Sequence, residues 1–359
     1  MSTSKINIVV VGLVFGNCFV ESYKLHPNVA SVGICDRDES LVNATAETYG
    51  ITKTYKDLDE VLRDETVDAV HIVTPPQMHE EHTVAVLNAG KHCACAVPMA
   101  VSLDGIRRIT EAARKSGKNY MMMETTLFTY QFFYVKQMIE SGELGRIQFM
   151  RGSHYQDIAG WPGYWKGLPP MHYGTHAIGP MLALSGSRIE RVRCIGAGTM
   201  AAELHEPYGN PFPVESAHIE FENGLKGEAT RSLFETAREY QEGLFVYGSE
   251  KSFEWGFADG DSPYVTTLTP PAEGQRGGTC AVEVVEMQSY NHLLPEPLQK
   301  IVGWHHGAHP HLVNEFVASI AEGRKPWIDE VMAGNMTAAG ICAHDSAMND
   351  GAVVDVPVF

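Results

Sequence analysis

Two imidazoles four residues apart, His172 and His176 in Met171-His172-Tyr173-Gly174-Thr175-His176, are the side chains in this sequence best suited to moving a proton near neutral pH. On a helix that spacing puts both rings on one face. The plain alternative is a pair that satisfies hydrogen bonds between helix and sheet. A second cluster, Trp304-His305-His306-Gly307-Ala308-His309-Pro310-His311, brings the number of imidazoles to what a metal site needs. HxxxH alone is a loose match to known ligand spacings, so no metal is expected.

A second chemistry is written near the amino terminus. The apolar run Ile6 to Val11 leads into Gly12-Leu13-Val14-Phe15-Gly16-Asn17, and a second run, Val29 to Cys35, ends at Asp36. Strand, glycine turn, helix and terminal acid are the parts of a dinucleotide site. In such a turn the first glycine permits the bend, the second lets backbone approach the pyrophosphate, and the third packs helix on strand. Gly12 holds the first position, Val14 the second and Asn17 the third, with Gly16 one residue early. Asp36 has the spacing to accept hydrogen bonds from an adenosine ribose, which argues for NAD. Arg37 can pair with a 2′-phosphate and keeps NADP open.

Around these groups the chain must build at least two cores. Its 359 residues exceed the size at which one core keeps growing, and 44% are hydrophobic. Lys plus Arg number 27 against 44 acids, a net charge of −17 with no basic run, so nucleic acid is excluded as a partner. The amino terminus lacks an apolar signal region and no stretch reads as a membrane span, so a soluble cytoplasmic protein is expected. Seven cysteines without CxxC spacing read as buried free thiols.

To about residue 124, short apolar runs alternate with helical stretches, the rhythm of a parallel βαβ sheet. Ligands bind beyond the carboxyl ends of such strands, which singles out Thr74-Pro75-Pro76, Ala96-Val97-Pro98 and Glu124-Thr125-Thr126. A helix from Phe132 to Ser141 follows. The sequence then turns strand-rich: 147–154, 189–196, 216–222, 225–232, 244–247 and 251–255, several without an intervening helix, which indicates a largely antiparallel sheet. Residues 256–300 read as a long excursion, a lid or an oligomer arm. Helices over 311–321 and 329–348 and a strand over 352–359 complete the chain.

Ile72-Val73-Thr74-Pro75-Pro76 with His79, then Ala85-Val86-Leu87-Asn88-Ala89-Gly90 before Lys91-His92, resemble the Gfo/Idh/MocA family of NAD(P)-dependent sugar and inositol oxidoreductases, and the likeness runs over nearly the whole chain. It implies an α/β fold: a Rossmann domain at 1–124, then an α+β domain at 125–359 with an open-faced, mostly antiparallel sheet for substrate binding and oligomerisation. The cofactor would meet Gly12, Val14, Phe15, Gly16, Asp36, Arg37, Thr74, Pro75, His79, Val97 and Glu124. Glu124 can also be a simple surface carboxylate.

Two departures matter. The family's Glu-Lys-Pro signature, whose lysine polarises the reacting group, is Ala96-Val97-Pro98 here, and valine neither donates a hydrogen bond nor relays a proton. The family's second signature, an aspartate with a catalytic histidine four residues on, makes His176 the implied base and puts His172 in place of the aspartate. Tyr173 and Lys166 are candidates for the missing donor. Tyr155, Trp161, Tyr164 and Trp165 offer flat rings to a sugar face, although most such clusters are core. His305, His306 and His309 can hydrogen-bond sugar hydroxyls or cap the late helix.

The implied activity is NAD-dependent oxidation of a ring hydroxyl of a sugar, glycoside or cyclitol, in a homo-oligomer, dimer or tetramer. His172-Tyr173, Thr175-His176 and Gly179-Pro180 also look like the family's redox-neutral glycosidase branch, and a third reading is a binding or regulatory protein that lost catalysis.

Overall fold

Ile8, Val9 and Val10 of Ile6–Val11 (β1) are all buried, the mark of a parallel strand covered on both faces. The computed structural model describes residues 5–359. From β1 the chain runs through Leu13–Leu25 (α1), Val29–Cys35 (β2), Glu39–Tyr49 (α2), Lys53–Tyr55 (β3), Leu58–Arg63 (α3), Ala69–Ile72 (β4), His79–Asn88 (α4), His92–Cys95 (β5), Leu103–Ser116 (α5) and Tyr120–Met122 (β6). The six strands pair in parallel in the order β3-β2-β1-β4-β5-β6, and chain direction across the sheet reverses between β1 and β4. That reversal opens the ligand crevice of a doubly wound sheet.

The second sheet starts after Tyr130–Glu140 (α6) with Ile147–Tyr155 (β7). It continues, after Thr175–Ser185 (α7), through Ile189–Ala197 (β8), Val214–Phe221 (β9), Lys226–Ser232 (β10), Gln241–Gly248 (β11), Lys251–Glu254 (β12), Tyr264–Thr269 (β13) and Thr279–Val284 (β14). Trp304–Ala321 (α8), Glu330–Met348 (α9) and Val354–Asp355 (β15) end the chain. The nine strands are ordered β14-β13-β12-β11-β7-β10-β9-β8-β15. Among the described residues of this sheet only β7 and β10 pair in parallel. α7 lies on β7, β10 and β11.

The chain divides into two compact units, 1–128 with 289–337 and 359, and 129–288 with 338–358. This differs from a single cut at 124, because α8 returns to α1, where His309 stacks on Phe19 with ring centroids 4.4 Å apart. Within the excursion over 256–300, β13 and β14 extend the sheet, since Val265 and its neighbours pair with β12. The closing strand shrinks to the two residues of β15. Cys93, Cys95 and Cys194 are buried thiols, whereas Cys280 is exposed on β14. Among the described residues no helix is long and apolar enough to cross a membrane.

Candidate functional site

In the first unit the glycine turn sits at the amino end of α1. Gly12 has φ 93°, and a Cβ there would stand 2.4 Å from the Val73 carbonyl oxygen, so both conformation and space demand glycine. Gly16, one residue early by sequence pattern, takes the helix-to-strand packing role: its missing Cβ would meet Val10 Cγ1 at 2.9 Å and Val73 Cγ2 at 3.3 Å. Val14 and Phe15 stand on the first helical turn, 68% and 41% exposed. The helix therefore presents its unbonded amides beside two apolar side chains.

The Asp36 carboxylate accepts from Leu13 N–H at 2.8 Å and Asp38 N–H at 2.9 Å, which fixes it beside that turn. Arg37 is exposed next to it. These groups fit a dinucleotide, with Gly12 and the α1 amides for the pyrophosphate and Asp36 for the ribose.

Beyond β4 and β5 the loops are tied together by one ring. His79 is fully buried between two carbonyls, Nδ1 2.7 Å from Pro98 O and Nε2 2.8 Å from Thr74 O. Pro75 follows Thr74, whose hydroxyl meets His82 Nδ1 at 3.0 Å. His79 thus holds the Thr74 and Val97 loops as a strut, and Val97 is itself buried. Glu124 is buried too, not a surface carboxylate, and its Oε1 accepts from Thr126 N–H and Oγ1–H at 3.1 and 2.7 Å.

The 304–311 histidines belong to this unit. His305 and His309 meet the Phe15 ring edge-on at 6.2 and 5.7 Å, and His309 is buried as packing. His305 and His306 both adopt left-handed backbone, at φ 49° and 50°.

The second unit carries a row of ionisable groups that strand register assembles. Glu242 of β11 pairs with His154 of β7, His154 with Arg231 of β10, and Arg231 with Glu215 of β9. Residues opposite one another across strands share a face, so four buried side chains form one line beneath the helices.

Arg231 donates to Tyr173 O at 3.0 Å, to His154 O at 3.2 Å, to Ser232 O at 2.6 Å and to Gln156 Oε1 at 3.0 Å, and its guanidinium lies 5.1 Å from the centre of the Tyr173 ring. His176, in the first turn of α7, sits over the other end. Its Nδ1 is 3.8 Å from Glu242 Oε1, and its ring meets those of His154 and Tyr173 edge-on at 4.8 and 5.3 Å. Tyr240 donates its hydroxyl to Glu242 Oε1 at 2.7 Å. Burial and then the Glu242 charge push that hydroxyl well above its ordinary value, so it stays a donor.

His172 does not share a helix face with His176. It belongs to a 3₁₀ turn, Pro170–Tyr173, and Gly174 separates that turn from α7. Pro169 and Pro170 start the turn, and the change of helix type rotates His172 away from the face that spacing alone implies. It packs against His344 of α9, 5.1 Å between ring centroids, and His344 Nδ1 is 2.6 Å from Glu215 Oε1. Burial, then the neighbouring His344, holds His172 down to about 3. A ring so hard to protonate is a poor base at neutral pH.

Trp161, Tyr164, Trp165 and Tyr173 form a chain of ring contacts 5.0–5.8 Å apart. Lys166 is exposed beside it, and Tyr155 lies beneath the Arg238 guanidinium at 5.6 Å.

His154, Arg231, Tyr240, Glu242, Glu215 and His344 escaped sequence reasoning. Register gathers His154, Arg231, Glu215 and Glu242, and the Gln-Glu-Gly that opens β11 reads as loop.

Residues 6–124 match the oxidoreductase family described as an NAD-binding Rossmann fold, and 132–254 match the GFO/IDH/MocA C-terminal domain. The chain is 24% identical to a glycosyl hydrolase family 109 protein of Saccharopolyspora erythraea, over 93% of this chain and 78% of that protein. It is 31% identical to inositol 2-dehydrogenase of Salmonella typhimurium over 43% of this chain, and spans 46% of that protein. A levoglucosan dehydrogenase in complex with NADH and levoglucosan has the same fold, with a TM-score of 0.81 at 20% identity over 99% of this chain and 100% of that one.

Proposed function

Because this chain belongs to the Gfo/Idh/MocA family, with an NAD-binding Rossmann domain and that family's C-terminal domain, we propose that it oxidises a ring hydroxyl of a sugar, glycoside or cyclitol. NAD, when bound, supplies the hydride acceptor. Gly12 and the first amides of α1 hold its pyrophosphate, and Asp36 its ribose. Thr74, Pro75 and Val97 frame the loops on that side of the sheet.

The observation that carries the reading is His176, buried in the first turn of α7 among His154, Tyr173, Tyr240 and Glu242. His176 takes the proton of the reacting hydroxyl. Tyr173 is the candidate donor beside it. Trp161 and Trp165 offer their faces to the sugar ring, with Tyr155 and the exposed Lys166 at the edge of the same segment. His305 and His306, on the first unit, are left for polar contacts.

A second reading is favoured by Val97 and by the relative named glycosyl hydrolase, whose match spans most of the chain. In it the same oxidation is transient, a neighbouring bond is cleaved or a centre inverted, and the nicotinamide ends unchanged.

The test is incubation of the purified protein with NAD and a panel of cyclitols, sugars and glycosides, following reduced-nicotinamide absorbance and products together. Net reduction supports the dehydrogenase, and product without net reduction supports the redox-neutral enzyme. His176→Ala is expected to abolish turnover with NAD affinity nearly unchanged. Full activity in that variant removes His176 from the chemistry.

A further inference from the structure

Two Glu–His pairs end the ionisable row of the second sheet, and they differ in one respect. Glu215 has both oxygens engaged: Oε2 accepts from Met171 N–H at 2.7 Å and Oε1 meets His344 Nδ1 at 2.6 Å. That pair is closed and ties the 3₁₀ turn to α9. Glu242 Oε1 and His176 Nδ1 stand 3.8 Å apart, beyond hydrogen-bond length.

We propose that Glu242 is a positioning residue for His176, fixing which ring nitrogen carries the proton; this rests on the reading of His176 as base. A carboxylate facing Nδ1 selects the tautomer with hydrogen on Nδ1 and leaves the Nε2 lone pair to accept a proton. As the proton arrives on Nε2, the imidazolium forms beside the Glu242 anion, which stabilises it. No bond to Glu242 forms or breaks.

The groups around His176 agree with this. Tyr240 donates to the same Oε1 at 2.7 Å, which restrains the carboxylate beside His176. The His154 ring meets His176 edge-on from β7, and Tyr173 does so from the 3₁₀ turn. Arg231, the row's cation, spends its donors on Tyr173 O, His154 O, Ser232 O and Gln156. Glu242 faces His176 with its Oε1 3.8 Å from Nδ1. The donor atoms of His154, His176 and Glu242 also lie within 4.8 Å of one another, so a bound divalent ion is the competing account of the same geometry.

The experiment compares Glu242→Gln, Glu242→Asp and Tyr240→Phe with the parent enzyme loaded with NAD, using the substrate the panel identifies. Glu242→Gln keeps the shape and removes the charge. Its kcat is expected to fall about 10²-fold with KM little changed. The acid limb of its pH profile should move about one unit lower, because an imidazolium no longer gains from an adjacent anion. Glu242→Asp should restore part of the rate and the parent limb, and Tyr240→Phe should lower kcat less than Glu242→Gln. A second readout is independent of turnover: nitrogen NMR of His176 should report hydrogen on Nδ1 in the parent protein and a mixed population in Glu242→Gln.

An unchanged kcat and pH profile in a folded Glu242→Gln overturns the proposal, and so does an Nε2–H tautomer in the parent. One equivalent of a divalent metal in the purified parent, lost in Glu242→Gln, overturns it in favour of a metal centre. If His176→Ala keeps its activity, the reading of the base fails first. If His176→Ala is inactive and Glu242→Gln is normal, only the present proposal fails.

Discussion

Gly152 of β7 lies directly under Ala177 of α7, so close that a Cβ on the glycine would stand 1.8 Å from the Ala177 carbonyl oxygen. This contact sets the height of α7 above the sheet. His176, one residue earlier, reaches His154 and Glu242 only because the helix comes down that far.

Gly152→Ala should therefore act twice. Overpacking of this kind costs about 1–3 kcal/mol, and lifting α7 withdraws His176 from its neighbours. A lower melting temperature together with turnover reduced beyond the loss of folded protein is the expected result. Parent-like activity at 25 °C would mean that the helix can slide instead of rise.

The cofactor turn separates two glycine roles. Gly12→Ala combines a conformation that is nearly glycine-only, worth about 1–3 kcal/mol, with a backbone clash at Val73, and should abolish NAD binding. Val14→Gly removes an exposed β-branched side chain from the approach to the α1 amides. Titration should show NAD bound about tenfold more tightly, equivalent to 1.4 kcal/mol. Weaker binding by Val14→Gly would place the pyrophosphate elsewhere than over this turn.

The layout of the first sheet could be read from alternating apolar runs because parallel strands buried on both faces leave a strong signal. Gly12 and Asp36 declare themselves through local spacing in the same way. The site on the second sheet does not. His154, Arg231 and Glu242 lie far apart in the chain and meet only through cross-strand register, which pattern does not fix. His172 shows the converse limit: a spacing of four implies one helix face, but the prolines before it and Gly174 after it make a separate 3₁₀ turn. Gly16 makes a related point, since packing needs a small residue wherever helix and strand touch, not at a fixed count.

Arg231 is fully buried, and its removal strands four acceptors at once. Arg231→Met should cost about 3–5 kcal/mol, as losses from buried charged networks do. Chemical denaturation of the variant measures this directly, and a loss below 1 kcal/mol would mean that water replaces the guanidinium.

Acid should weaken the fold well before carboxylates titrate. Burial, then a neighbouring imidazole, holds His71 and His172 down to about 3; burial holds His92 and His311 down to about 4, with Lys118 and His292 contributing. The unfolded chain protonates the same rings near 6.5 and so binds more protons below that pH. Their contribution is complete above about pH 6.5 and drains away as pH falls toward 4 to 3. Melting temperature should drop steadily from pH 7 to pH 4.5 in constant ionic strength, whereas a flat profile would mean that these rings are hydrated in the folded protein.

The return of 289–337 to the first unit and of 338–358 to the second has a consequence for biosynthesis. A ribosome delivers β1 through β6 early, yet the helix that covers Phe19 follows β14 in the chain. The first unit still lacks residues 289–337, and the second 338–358, long after β6 has emerged, so the nascent nucleotide-binding half waits with an uncovered aromatic face, a natural client for a chaperone. The same interleaving blocks gene fusion from passing this half between proteins as a contiguous cassette. A fragment ending at residue 128 carries the complete six-stranded sheet and still lacks part of its own core.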